Sequence, residues 1–305
     1  MVQYNNLYIT DGGIETSLIA DFGASLNDFA CFPLTMNDEG RVMLKDYFEP
    51  YCKLAKQKQL GIVLETATWR ASPDWAKKLG YSISDLAYSN VKAVELLRDL
   101  KAKYAFLEGE FVISGCIGPR GDGYIAEERY SLQELTEYHS FQTTIFKLAG
   151  TDYVSGITMN SSTEALALAY AALNSKIDCV ISFTVETDGN LPSGESVESA
   201  INRIDQETFH FPKYYMLNCA HPTHFNHILS NKTVLSRIKG LRVNASKCSH
   251  EELDNSTELD TGCPEELSNE LFSIAQSFKN LSIFGGCCGT NILHLTKIAE
   301  KLGQN

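Results

Sequence analysis

Cys219 follows an asparagine, and Cys287 and Cys288 lie side by side within Gly285-Gly286-Cys287-Cys288-Gly289-Thr290. Three thiols from two segments supply three ligands of a tetrahedral zinc ion and leave the fourth position open. That is the pattern of a catalytic rather than a structural site. The flanking glycines let the backbone turn sharply enough for adjacent side chains to reach one ion. The same residues also read as packing cysteines on a tight turn, because a free cysteine behaves as a small buried apolar residue. A bond between the neighbours Cys287 and Cys288 would be strained.

Elements that could bring these segments together recur along the chain. Short apolar runs begin with Leu7–Thr10, Ile62–Leu64, Phe111–Ser114 and Tyr153–Ile157, and continue with Cys179–Val185, Tyr214–Leu217, Leu241–Val243 and Leu281–Phe284. The runs are continuous rather than alternating, as expected for parallel strands covered on both faces. Helical spacing follows, for example at Ile83, Leu86, Val91, Val94 and Leu97, and at Leu295, Ile298, Ala299 and Leu302. Ser161 with Glu164 reads as a capping pair, Pro264-Glu265-Glu266 as a first turn, and 42–59 as a further helix. Eight strand–helix units predict an α/β fold, a single-domain (β/α)8 TIM barrel over residues 1–305, with a doubly wound sheet as the alternative. In a barrel the segments after each strand share one face, where the active site is built. Asp11-Gly12-Gly13, Glu65-Thr66-Ala67-Thr68-Trp69, Asn218-Cys219 and the double-cysteine loop all fall there.

The 305 residues carry 26 Lys and Arg against 38 Asp and Glu, a formal charge of −12. Such a surface repels phosphate backbones, and no basic stripe counters it, so nucleic acid is not an expected partner. No apolar stretch approaches the roughly 18 residues of a membrane span. Met1-Val2-Gln3-Tyr4-Asn5-Asn6 lacks the basic and apolar regions of a signal peptide. The cytoplasm is the expected compartment, and there an odd count of nine cysteines argues against a disulfide framework.

Asp11-Gly12-Gly13, Asn218-Cys219 and the Gly-Gly-Cys-Cys-Gly-Thr motif, in this order, resemble the homocysteine S-methyltransferase family over nearly the whole chain. Gly115-Cys116-Ile117-Gly118-Pro119 looks like its third-strand motif, and Ser182-Phe183-Thr184 with Leu191–Ser196 is similar to its fifth strand and loop. The resemblance implies a zinc-containing barrel that methylates a thiol, with Cys219, Cys287 and Cys288 as ligands of Zn2+. A free thiol has a pKa near 8.5, and coordination to zinc deprotonates it at neutral pH. Its sulfur would attack the methyl group of a cationic donor such as S-methylmethionine, S-adenosylmethionine or betaine. The leaving group departs neutral, so no general acid is needed. The small-molecule partners implied are that donor and a thiol, with homocysteine giving methionine in the lead.

The resemblance also places substrate contacts. Asp11 and Gly12 follow the first strand in the family's own position, and Thr66 and Thr68 match a hydroxyl-bearing motif placed for a substrate carboxylate. Asn218 precedes the first ligand. The strand-four glutamate with which the family recognises an amino group is Ile157 here. Isoleucine cannot pair an ammonium, which leaves Asp11, with Asn160 offering one hydrogen bond. Another small thiol or selenol, or a non-catalytic binding role, is the alternative. Glu65 and His221 are the candidate bases for a zinc-assisted hydrolase or lyase on the same scaffold. Trp69 reads as an aromatic packing residue, with a pocket wall or a cation–π contact to the donor as the alternative. His221, His224 and His227 read as capping or solvated residues, and Cys248, His250 and Cys263 as a weaker accessory metal set. Cys31, Cys52, Cys116 and Cys179 read as packing residues.

Overall fold

All eight apolar runs form strands: β1 (Tyr8–Ile9), β2 (Gly61–Glu65), β3 (Phe111–Ile117), β4 (Tyr153–Met159), β5 (Cys179–Thr184), β6 (Tyr215–Asn218), β7 (Ile238–Val243) and β8 (Ile283–Gly286). Every neighbouring pair is parallel, and β1 pairs with both β2 and β8, so the sheet closes into a barrel. This computed structural model describes residues 7–106, 110–126, 129–230 and 236–303. Residues 1–6, read above for the lack of a signal peptide, lie outside them. The closed β1–β8 pairing selects the barrel over the doubly wound sheet.

Strand alternation sorts the core into two layers. On β2, Ile62 and Leu64 join the large cluster between sheet and helices, while Val63 turns the other way. Val63, Cys116, Tyr153, Val180, Met216 and Ile283 form a smaller cluster drawn from β2, β3, β4, β5, β6 and β8, which is the barrel interior. Glu65, two residues beyond Val63, shares that inward face. A carboxylate therefore stands at the end of an apolar column.

The helices start where the sequence places caps. Asn37 accepts from the Gly40 N–H to open the helix Asp38–Lys58, and Ser82 and Ser131 form reciprocal capping boxes. Ser161 caps Ser162–Ser175, but the Glu164 carboxylate does not return the bond. It accepts instead from the Arg120 N–H at 2.6 Å and meets His139 Nε2 at 3.0 Å, tying the third βα loop to the helix bundle. Pro264 opens Pro264–Ser277, and Ile292–Leu302 completes the ring. Among the described residues, no helix is long and apolar enough to cross a membrane.

Gly285 and Gly286 have an unexpected reason. Neither adopts a left-handed conformation; in this loop only Gly289 does, at φ +76°. A Cβ on Gly285 would lie 1.8 Å from Thr10 Oγ1, and one on Gly286 would lie 1.9 Å from Thr290 Oγ1. Close approach to Thr10 just beyond β1 requires Gly285, and the fold-back of its own loop onto Thr290 requires Gly286.

Candidate metal and substrate site

The sulfurs of Cys219, Cys287 and Cys288 lie within 4.8 Å of one another at the carboxyl end of the barrel. Among the described residues this is the one cluster with the spacing of a metal site. The main chain positions it. The Cys219 N–H donates to the Arg242 carbonyl, the Cys287 N–H to the Val243 carbonyl, and the Ala245 N–H to the Cys288 carbonyl. The end of β7 therefore serves as a spacer gripped from both sides. Cys219 itself is left-handed at φ +52°, a conformation that costs a non-glycine residue of the order of 1–3 kcal/mol and turns its side chain off the strand path.

Cys219 and Cys287 are joined by a disulfide with Cα atoms 5.3 Å apart, and Cys288 is a free thiol. The odd cysteine count argues against a disulfide framework, and this single bond lies inside the set of expected ligands. Residues brought together to share one ion are also close enough to bond each other. In the reduced state the three thiols fit zinc: tetrahedral Zn–S bonds of about 2.3 Å require sulfur separations of roughly 3.8 Å, which lies inside the limit of the cluster. Burial pushes the Cys288 thiol up to about 11. A cation is the means by which a thiol raised this far becomes a ligand at neutral pH.

A cavity of about 380 Å3 opens over the triad. Seven carboxylates line it (Asp11, Glu15, Glu65, Asp122, Asp254, Glu258 and Asp260), against the arginines Arg70 and Arg242. Phe29, Trp69, Tyr124, Leu253 and Leu259 provide apolar wall. The Tyr124 hydroxyl reaches Cys288 Sγ at 3.9 Å, and its ring stacks on His250 at 4.0 Å. His250 Nε2 donates to the Cys219 carbonyl at 2.6 Å, and its Nδ1 faces Glu186 at 3.1 Å. His250 thus braces a ligand residue through the backbone, while Cys248 and Cys263 stand exposed and form no accessory metal cluster with it.

Arg242, near the end of β7, received no role in the sequence analysis. It is buried, with Nη2 donating to Asp11 Oδ1 at 2.7 Å and Nε to the Gly286 carbonyl at 3.3 Å. The other Asp11 oxygen accepts from the Tyr47 hydroxyl at 3.1 Å. Burial raises the Asp11 pKa, opposed by the charge of Arg242. The signal for Arg242 was a lone charge inside the apolar run Leu241-Arg242-Val243.

The expected substrate contacts divide. Asp11, Gly12 and Thr66 line the cavity, as does Ile157; Thr68, Asn160 and Asn218 do not. Thr68 donates to the Cys116 carbonyl at 2.8 Å, so the 2.6 Å bond between the two threonine hydroxyls must use the Thr66 proton. Thr66 Oγ1 in turn accepts from the Cys116 N–H. Both hydroxyl protons are committed between β2 and β3, and neither is left for a substrate carboxylate. Asn160 donates to the carbonyls of Asp122 and Ile125. Asn218 accepts from Ser182 Oγ and the Thr158 N–H and donates to Thr158 Oγ1. It pins Thr158, which is left-handed at φ +64°. His221 lies outside the cavity lining, accepts from the Thr223 N–H, and is pushed down to about 4 by burial. It is a neutral cap and not the second base a hydrolase would need.

Glu65 is the group left over. It is 5% exposed, and neither carboxylate oxygen meets a donor at hydrogen-bonding geometry. The neighbouring Ser114 and Ser155 hydroxyls bond each other at 2.6 Å. Burial pushes its pKa from 4.5 up to about 7, against the opposing charge of Arg242 and the nearby Ser114 and Ser155 hydroxyls. For a carboxyl raised in the folded state, the full stability is present below the unfolded value near 4.5 and is lost as pH rises through about 7. Glu65→Gln keeps the shape without the charge. We expect it to exceed the parent by about 2–3 kcal/mol in urea unfolding at pH 8 and to match it near pH 4.5. An equal difference at both pH values would show that ionisation of Glu65 is not the cause.

The homocysteine S-methyltransferase family model matches residues 8–302. Among solved structures, the chain is similar to the homocysteine methyltransferase MmuM from Escherichia coli. Its metallated form superposes with a TM-score of 0.74 at 18% identity, over 98% of this chain and 96% of that one. Its oxidised form gives 0.75 at 17% identity, over 97% and 96%. At these identities the likeness is one of fold. None of the curated proteins matches the chain by sequence.

Proposed function

The chain belongs to the homocysteine S-methyltransferase family, and on that premise we propose that it moves a methyl group from a cationic sulfonium or ammonium donor to the thiol of homocysteine. The observation that carries this reading is the placement of Cys219, Cys287 and Cys288 in the wall of an acid-rich, aromatic-edged cavity. Zinc held by the three cysteines would supply the acidity that removes the substrate thiol proton at neutral pH.

The chain's own residues do the remainder. Trp69, Tyr124 and Leu259 give the cavity that holds the cysteines an apolar wall, which would favour a dry reaction space. Asp122, Asp254 and Glu258 set a negative field at the same cavity, which concentrates a cationic donor and disfavours an anionic one. That field weakens as the donor loses its charge along the reaction, so it acts on donor binding more than on the transition state. The rate must come instead from alignment of sulfur, methyl and leaving group. His250 and Arg242 fix the backbone beneath that alignment through the Cys219 and Gly286 carbonyls.

The test is a matrix of homocysteine and other small thiols against S-methylmethionine, S-adenosylmethionine and betaine, with zinc-loaded reduced protein and products followed by mass. Methionine is the expected product. No methylated product from any pair would overturn the reading in favour of a binding protein.

A further inference from the structure

Two buried charged residues among those lining the cavity lack a full set of partners. Neither Glu65 oxygen holds a hydrogen bond at full geometry, the one hydroxyl proton that the Ser114–Ser155 pair leaves over being its nearest donor, and Arg242 Nη1 lacks an acceptor while its other nitrogens hold Asp11 and Gly286. Groups of this kind are rare because each costs its desolvation without compensation. The two come from β2 and β7, on either side of β8 and β1, and each lowers the electrostatic cost of the other. Meanwhile the groups that the sequence offers for a substrate head group are occupied. Asp11 is bonded to Arg242 and Tyr47, and Thr66 and Thr68 are committed to Cys116 and to each other.

A free carboxylate and a free guanidinium edge in one cavity are complementary to a zwitterion. We propose that Glu65 binds the α-ammonium and Arg242 Nη1 the α-carboxylate of the thiol substrate, which makes Glu65 and Arg242 the specificity-determining pair for an α-amino acid. The inference rests on the thiol-methylation reading and deepens it. The carboxylate absent from β4, where Ile157 stands, is supplied from β2. Ile157 instead packs with Val63 and Cys116 in the interior cluster, beside the column that ends in Glu65. Simple thiols without a head group leave both buried charges unmatched and are selected against.

The experiment measures binding, so it stands apart from turnover and from metal loading. L-Methionine, its amine-less counterpart 4-(methylthio)butyrate and its carboxyl-less counterpart 3-(methylthio)propylamine are titrated calorimetrically into the parent protein, Glu65→Gln and Arg242→Lys. The parent is expected to prefer methionine to either counterpart by about 100-fold, the scale on which a buried charge pair is lost when one partner is removed. Glu65→Gln should collapse the preference over the amine-less compound to below about fivefold and keep that over the carboxyl-less one. Arg242→Lys retains a charge for Asp11 and should show the reverse. Equal loss for all three ligands in Glu65→Gln, or a parent that does not discriminate among them, would overturn the proposal. Absence of methyl transfer with this binding pattern intact would overturn the catalytic reading alone.

Discussion

Cys288→Ser is expected to leave the barrel folded while it loses, together, its zinc and at least about 1,000-fold of its methyl-transfer rate. The fold survives because the Cys288 side chain is only half-buried and its sulfur meets just the Tyr124 hydroxyl, at 3.9 Å. A serine there costs on the order of 0.5 kcal/mol. The metal is lost because two thiolates without a third neither complete the donor set nor keep Cys219 and Cys287 from pairing with each other. Reduced parent protein should carry about one zinc per chain by elemental mass spectrometry, and the variant below about a tenth of that. Cys248→Ser and Cys263→Ser remove exposed thiols outside the cluster and should alter neither quantity. Retention of both zinc and rate in Cys288→Ser would sink the assignment of the triad.

The readability of this chain follows from how its residues are used. Strands covered on both faces write themselves as apolar runs, which is why all eight were visible. The β7 run was read as Leu241–Val243 although the strand starts at Ile238, because Lys239 and Gly240 interrupt it. Gly240 is there for space: a Cβ would come within 2.7 Å of Met216 Sδ on β6. Closure was not visible in the same way. β1 is two residues long, and its pairing with β8 depends on contacts made 275 residues apart, such as Tyr8 with Ile283. The cysteine triad was legible because two adjacent cysteines set among glycines, with a third after Asn218, form a combination that packing alone does not require. The substrate contacts were less so, since residue type says what a side chain can bond and not what it already bonds. Thr66, Thr68, Asn160 and Asn218 have the right groups, but their neighbours have claimed them. Glu65 was noticed as a base and Arg242 was passed over. A lone charge in a strand buried on both faces was the available clue for each.

Arg242→Met is expected to destabilise the protein by about 3–5 kcal/mol, the usual result of removing one partner from a buried ion pair. Asp11 would keep only the Tyr47 hydroxyl, the Gly286 carbonyl would lose a donor, and Glu65 would lose the charge that opposes its desolvation. Because burial already raises Asp11 and Arg242 is what lowers it, its loss drives Asp11 further toward the protonated state. The defect should therefore be smaller at pH 5 than at pH 8, as protonation relieves the stranded carboxylates. Asp11→Asn combined with Arg242→Met removes both charges and should recover at least about 2 kcal/mol relative to the sum of the single variants. Urea unfolding of the four proteins at both pH values decides the matter, and additive losses would mean that the 2.7 Å pair is incidental to stability. A methionine of similar volume in an apolar setting often matches or exceeds the stability of a buried arginine network. That the recovery in the double variant should fall short of the parent follows from the Gly286 carbonyl, which no methionine can satisfy. The arginine is thus held in place by a backbone acceptor at the end of β8 and a carboxylate just beyond β1, and Nη1 is the nitrogen that neither of them uses.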